Sequence, residues 1–463
     1  MIRQSLAKKL RQMVVGVDQR IPILSGELVT AINFDNAATT PPFISVMNEI
    51  HEFAPWYSSV HRGMGYKSMM SSDIYENGRH LIKEFVGADE HNDMLIYTKT
   101  TTEAINILAN AFCCEHPKAM ILSTEMEHLA NDLPWRYKFA IDYVKIDQIG
   151  RLDLVNLEEK LIQYKGRVKL VSVTGASNVT GYINPIYDIA KLAHTYGAEI
   201  LVDGAQLVPH RAVDMKPHER EDHIDYLVFS AHKMYAPFGV GILIGKSKTF
   251  KKNTPYLKGG GAVELVTDTF VDWDAAPYKE EAGTPNVIGV VALLKAITTL
   301  DKIDMQQVHA YEQEVINYII GGLRTVKNIK LFGCPKKQGD KVSIISFLLP
   351  NMEHRLIAKI LSYEFGIAVR SGLFCAHPYV QKLLGLTSEE IQYYRENENV
   401  SFPGMVRVSL GVYNNYEEAD VLLRSVHDIA NNVTGYIEKY RKIKEFPPHP
   451  QMDIFNNNRH YLP

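Results

Sequence analysis

The chain has 463 residues, 46% hydrophobic and 22% charged, with a formal net charge of −3, the composition of a globular protein long enough for two domains. The balanced charge and the lack of any Lys/Arg block argue against nucleic acid or a membrane surface as a partner, and no apolar run reaches the roughly 18 residues needed to cross a bilayer. Four irregularly spaced cysteines, Cys113, Cys114, Cys334 and Cys375, fit neither a disulfide framework nor a CxxC metal site, so a reducing, cytoplasmic setting and no metal are expected.

Residues 1–15 carry Arg3, Lys8, Lys9 and Arg11 between apolar positions at helical spacing. A signal peptide would need a continuous apolar core, so an amphipathic packing helix is expected. Pro41-Pro42 precede a helix starting near Phe43, residues 55–63 read as an exposed loop ending in His61-Arg62-Gly63, and Asp73–Phe85 reads as a helix. From residue 94 short apolar runs recur at 94–97, 119–122, 143–146, 169–173, 199–202, 226–229 and 240–244, with helical segments clearest at 103–112, 154–164 and 186–196. This alternation predicts a mostly parallel sheet covered on both faces, with the run at 240–244 returning antiparallel. Long helices at 287–300 and 308–325 lead to a second unit. There a strand is expected at 342–349, a helix at 353–365, a loop around Cys375, a polar insertion near 386–404, a strand at 405–410 and a final helix from about Glu417. The Pro- and Asn-rich tail after Phe446 has no periodicity and reads as an extension.

Two apolar runs end abruptly in polar groups: Val202-Asp-Gly-Ala-Gln206, and Tyr226-Leu-Val-Phe-Ser-Ala-His-Lys233. In an open α/β sheet, ligands gather outside the carboxyl ends of the strands, which would bring Asp203, Gln206, Ser230, His232 and Lys233 into one pocket. That set suits pyridoxal phosphate (PLP): the amine for its aldehyde, the acid for its ring nitrogen, and hydroxyl and imidazole donors for its phosphate. Thr101 and Thr102, with Thr100, follow a strand and open a helix. They form either a phosphate cradle or an ordinary N-cap. His128 is placed to stack on a ring and move protons, or is satisfied locally. Asn178 at another strand end offers an amide donor, or serves turn chemistry. Cys375 lies in Arg370-Ser-Gly-Leu-Phe-Cys-Ala-His-Pro378 and is either a nucleophile or a small buried hydrophobe. Arg407 offers a two-pronged clamp for a carboxylate, or a surface ion pair.

These residues, with Asp35-Asn-Ala-Ala-Thr-Thr40, His61-Arg-Gly63, Thr101-Thr-Glu-Ala-Ile-Asn106, Glu127-His128, Ser177-Asn-Val179, Ala282-Gly-Thr-Pro-Asn286 and Arg370-Ser-Gly372, stand in an order that resembles the class V aminotransferase superfamily of fold type I PLP enzymes. The likeness is greatest to the Suf-type cysteine desulfurase and selenocysteine lyase group, and runs from about Phe34 to the final helix. The resemblance implies an α/β large domain with a mostly parallel seven-stranded sheet and a smaller α+β C-terminal domain. The divisions would fall at 1–33 (a segment packing on the small domain), 34–290 (PLP-binding), 291–446 (small domain with cysteine loop and insertion) and 447–463 (tail).

It further implies a cytoplasmic homodimer in which Thr284 reaches the phosphate of the partner's cofactor. Lys233 would hold PLP and deprotonate the substrate, Asp203 would pair with the pyridine nitrogen, Gln206 and Asn178 would address the ring oxygen, and His128 would stack. Asn36, His61, Arg62, Arg370 and Arg407 would bind an amino acid substrate. Cys375 would take its sulfur as a persulfide, leaving alanine, for passage to a sulfur-acceptor protein. Two departures stand out: Leu373 and Phe374 occupy positions where the nearest family pattern has histidines, and about 25 extra residues near 381–405 follow the cysteine. They keep open a PLP-dependent C–S or C–Se lyase on another cysteine-like substrate, or an aminotransferase, with Cys375 not essential. A PLP-binding scaffold without turnover is a further alternative, disfavoured by the complete lysine, acid and arginine set.

Overall fold

The structure is a computed structural model and describes residues 2–334 and 341–443; the tail after Phe446 lies outside the described residues. Seven strands form the main sheet: β1 (Asp93–Thr98), β2 (Met120–Thr124), β3 (Ala140–Val144), β4 (Val168–Thr174), β5 (Glu199–Asp203), β6 (Tyr226–Ser230) and β7 (Gly241–Lys246). Their order is β1-β7-β6-β5-β4-β2-β3. All neighbours are parallel except β7, which runs antiparallel to both β1 and β6. The central strands are unbroken apolar runs because helices cover both faces; β6 is buried along its whole length. The expected strand at 143–146 is displaced to Ala140–Val144. It is the edge strand, paired on one side only through Met120↔Ala140 to Thr124↔Val144, and the polar Asp142 in its middle hides its alternation.

A second, antiparallel sheet follows: β8 (Lys330–Phe332), β9 (Ile344–Leu348), β10 (Arg370–Gly372) and β11 (Met405–Ser409), in the order β8-β9-β11-β10. The segment before the main sheet joins this one. Asp35 bridges to Ser409, and Ile32-Asn33 pairs in parallel with Ile367-Ala368. Arg11, at the end of the helix Ile2–Arg11, reaches Glu418 at 2.7 Å.

Three helical segments differ from expectation. The helix expected from Asp73 begins at Tyr66, because Ser68 and Ser71 hydroxyls donate back to the carbonyls of Ser59 (2.7 Å) and Trp56 (3.3 Å). The polar insertion holds a helix, Ser388–Glu396, closed by a capping box between Thr387 and Glu390. The C-terminal helix Tyr416–Asn431 is followed by another, Val433–Lys442. The long helix Val287–Ile303 lies against Ile44–Phe53, with Lys295 on Glu49 (2.6 Å) and Ser45 on Thr299 (2.9 Å).

Candidate active site

A cavity of about 520 Å³ opens between the carboxyl ends of the main sheet and the second sheet. Strands β1, β2, β4, β5 and β6 are each followed by a polar group near where their hydrogen-bonded run stops, so successive elements converge on the cavity. Thr100, Thr101 and Thr102 come after β1, His128 after β2, Asn178 after β4, Asp203 and Gln206 from β5, and Ser230, His232 and Lys233 from β6. The far wall carries Arg370, Leu373, Phe374, Cys375, His377 and Arg407.

On the sheet side the residues are tightly organised. The Thr101 N–H donates to Ser230 Oγ (2.9 Å), and the two hydroxyls lie 2.6 Å apart at the start of the helix Thr101–Glu115. Thr100 caps that helix by accepting from Glu103 N–H. Gly241 lets the β1 loop pass: a Cβ there would lie 2.4 Å from the Thr100 carbonyl carbon. Asp203 is buried and accepts from the Ala205 N–H at 3.0 Å. Desolvation pushes its carboxyl above the usual range, against that hydrogen bond and the attraction of Lys233. Burial lowers the Lys233 amine, opposed by Asp203, and Arg407 lowers it further. His128 is held neutral, at about 4, by burial and by the positive charges of Lys233 and Arg407. Its Nδ1 accepts from Ala130 N–H (3.0 Å), so the ring proton sits on Nε2. Burial likewise takes His232 to about 4. Gln206 commits its amide nitrogen to the Ala37 carbonyl (2.7 Å).

The far wall is built around Arg407, which is 3% exposed. Nη2 donates to Asp35 (3.1 Å) and Nη1 to the Asn178 carbonyl (3.0 Å). Nε is buried without a hydrogen-bond partner. Desolvation lowers this guanidinium to about 10 despite Asp35. Asp35 also pairs with the exposed Arg370 at 3.0 Å. Cys375 is exposed, and both it and Phe374 adopt left-handed backbone, φ 52° and 51°. Such conformations cost non-glycine residues about 1–3 kcal/mol each and persist only where neighbours enforce them. Here Asn178 Nδ2 donates to the Phe374 carbonyl (2.7 Å), Leu129 N–H to the Cys375 carbonyl (2.7 Å) and Ala376 N–H to Leu373 (2.9 Å).

Four expected site residues stand elsewhere. Asn36 is buried with its amide engaged. Nδ2 donates to Asn33 O, Ser409 O and Asn414, and Oδ1 accepts from Tyr413, so it ties the N-terminal segment to the second sheet instead of facing the cavity. His61, Arg62 and Thr284 line a second cavity, where His61 bonds Glu76 at 2.7 Å. Asp35 was not among the expected site residues. Its carboxylate is adjacent to Asn36 in sequence, but the two arginines it joins are more than 300 residues away.

Outside the cavity, among the described residues, His194, His223 and Asp225 form one cluster with metal-ligand atoms. The two rings stack at 4.3 Å and 22°. Each donates to a different oxygen of Asp225 (2.8 and 3.2 Å). The cluster sits at the start of β6, the end of the strand opposite Ser230.

The family pattern of Aminotransferase class-V matches residues 32–422. The chain belongs to this family. It is 34% identical over 405 residues to a probable cysteine desulfurase of Mycolicibacterium paratuberculosis, covering 86% of this chain and 55% of that protein. It is 32% identical over 434 residues to a probable cysteine desulfurase of Synechocystis sp., covering 91% of this chain and 96% of that one. Among solved structures it resembles the apo cysteine desulfurase of Thermococcus onnurineus NA1, with a TM-score of 0.77 and 29% identity over 87% of this chain and 95% of that one. The α/β fold with a mostly parallel seven-stranded sheet is that of the fold type I PLP enzymes. Among the described residues no helix is long and apolar enough to cross a membrane.

Proposed function

We propose that the chain is a PLP-dependent cysteine desulfurase, converting L-cysteine to L-alanine and leaving the sulfur as a persulfide on Cys375. The observation that carries this reading is that Cys375, Lys233, Asp203 and Arg407 line one cavity. The donor set fits PLP. Asp203 is a desolvated acid with one hydrogen bond to its carboxylate among the described residues, Lys233 is a desolvated amine, and a helix start with clustered hydroxyls lies beside them.

Thr101, Thr102, Ser230 and His232 would hold the phosphate. Asp203 would keep the ring nitrogen protonated, Gln206 and Asn178 would face the ring oxygen, and His128 would stack on the ring. Bound PLP supplies an electron sink for charge developing on the substrate carbons. Lys233 would tether the aldehyde end and carry the proton removed from the substrate Cα. Arg407, with Arg370 nearby, would bind the carboxylate in place of Asp35. The Cys375 thiolate would attack the substrate sulfur: the new S–S bond forms as the Cβ–S bond breaks, and the electron pair stays on the carbon skeleton, which takes one proton at Cβ and one back at Cα to give alanine.

The reading includes a homodimer in the cytoplasm, with Thr284, His61 and Arg62 of the second cavity serving the site across the interface. Exposed Trp56, Tyr57, Met64, Tyr66 and Met69 beside that cavity support an interface there. A sulfur-acceptor protein would discharge the persulfide. The reading keeps a PLP-binding unit over 34–290 and a smaller unit over 291–446.

Alanine and sulfide release from L-cysteine, with and without a thiol reductant, tests this in wild type and Cys375→Ala. Full sulfur release by Cys375→Ala would sink the persulfide route. The apolar Leu373 and Phe374 before the cysteine favour a second reading, a C–S or C–Se lyase needing Lys233 but no protein thiol. Assays with selenocysteine and S-substituted cysteines separate the two.

A further inference from the structure

We propose that Phe374 is a positioning residue that sets substrate length: it fixes the reach between the carboxylate anchor Arg407 and the thiol of Cys375. The inference rests on the reading above, in which Arg407 takes the substrate carboxylate and Cys375 its sulfur.

Phe374 is attached to Arg407 twice. Its ring lies 5.0 Å from the guanidinium carbon, a cation–π contact. Its carbonyl accepts from Asn178 Nδ2 (2.7 Å), and the Asn178 carbonyl accepts from Arg407 Nη1 (3.0 Å). Phe374, Asn178 and Arg407 therefore close a ring of contacts. The phenyl is 8% exposed and sits in a cluster with Met126, Val179, Tyr379 and Met405, so it cannot swing away without opening that cluster.

The thiol is on the next residue. Its carbonyl is held by the Leu129 N–H at 2.7 Å, and its backbone, like that of Phe374, is left-handed. With both peptide groups pinned, the Cys375 side-chain torsion is the main freedom left to Sγ. An amino acid seated by its carboxylate on Arg407 then meets the thiol at one reach. Cysteine and selenocysteine share that reach, and one more methylene displaces the sulfur by about 1.5 Å, one carbon–carbon bond.

The apolar character of residue 374 is part of the arrangement. A phenyl offers its negative face to the desolvated Arg407 without adding charge, whereas a protonated imidazole there would repel it. The pair Leu373-Phe374 thus has a task of its own in the site.

The test uses the PLP-loaded full chain with Cys113, Cys114 and Cys334 changed to Ser, so that iodoacetamide reports on Cys375. KM and kcat for L-cysteine and L-homocysteine are measured with the alkylation rate in Phe374→Ala, Phe374→Leu and Phe374→Tyr. Phe374→Ala is expected to raise KM for cysteine about tenfold with a smaller change in kcat, and to narrow the preference over homocysteine about tenfold, the scale of one methylene. Its alkylation rate should change by about fivefold or more as the thiol loop loosens. Phe374→Leu keeps apolar bulk but no ring face and should follow Phe374→Ala; Phe374→Tyr should stay near wild type. Wild-type KM and preference in Phe374→Leu, or an unchanged preference in Phe374→Ala, overturns the proposal. If wild type releases no sulfur from cysteine, the desulfurase reading has failed instead. The alkylation rate then decides for Phe374, and an unchanged rate in Phe374→Ala overturns its role.

Discussion

The two walls of the cavity are made by different physics. The sheet wall uses strand ends: Asp203 and Ser230 are the last residues of β5 and β6, and Lys233 follows one short turn later. Its backbone is regular and its core fully packed, so these groups stay in place at little conformational cost. The thiol wall uses two successive left-handed residues, an exposed cysteine and hydrogen bonds borrowed from loops of the other sheet. In the proposed reading, a regular scaffold carries the cofactor chemistry, while an enforced loop carries the part that selects a reaction.

The contrast is broken most severely at Lys233. Lys233→Ala should cut turnover by at least about 10⁴-fold while the chain still unfolds cooperatively, since the amine sits on a scaffold that does not need it. Retained turnover would mean that the sheet wall is not the reacting one. Cys375→Ala comes next: alanine formation from cysteine should fall by about 10³-fold with PLP absorbance intact, because only the thiol wall has lost its group.

A pH titration sharpens the comparison on the sheet side. His128 is neutral in the folded chain, with its value lowered from the ordinary 6.5 to about 4. The unfolded chain therefore takes up the proton first. Stability tied to His128 is fully present above pH 6.5 and is lost as the pH falls toward 4, by about 3 kcal/mol at most. Denaturant midpoints for wild type and His128→Asn between pH 7 and pH 4 should diverge in that window, with the variant losing less; parallel curves would remove His128 as the cause.

The smallest effect lies where the walls meet. Asn178→Ala leaves the Phe374 carbonyl without its donor, which should cost about 1–2 kcal/mol of stability. Because the proposed function also assigns Asn178 to the ring oxygen, cofactor absorbance is expected to shift in the same variant. If stability is untouched, the thiol loop is held by something other than this hydrogen bond.

Much of the sheet wall was legible from residue order. Apolar runs of strand length, each stopped by a polar group, are local patterns, and β4, β5 and β6 lie where those runs do. Edge strand β3 was misplaced because it pairs on one side only. The insertion helix had a readable start in Thr387-Ser-Glu-Glu390, a capping-box spacing that the polar composition obscured. Cys375 and Arg407 were also legible, as residue types within motifs.

Their surroundings were not. Asp35 joins Arg370 and Arg407, the Phe374 ring covers Arg407, and Asn178 holds the thiol loop, over separations of 33 to 372 residues. Neither periodicity nor a short motif encodes contacts at such range; they exist only once both sheets have packed. The same packing places His61, Arg62 and Thr284 together in a second cavity and commits Asn36 to a structural tie. The sequence alone determined the strands, their polar ends and the family. Only the tertiary structure decided how the thiol and the carboxylate anchor are held, because long-range packing and desolvation, not local propensity, set their positions.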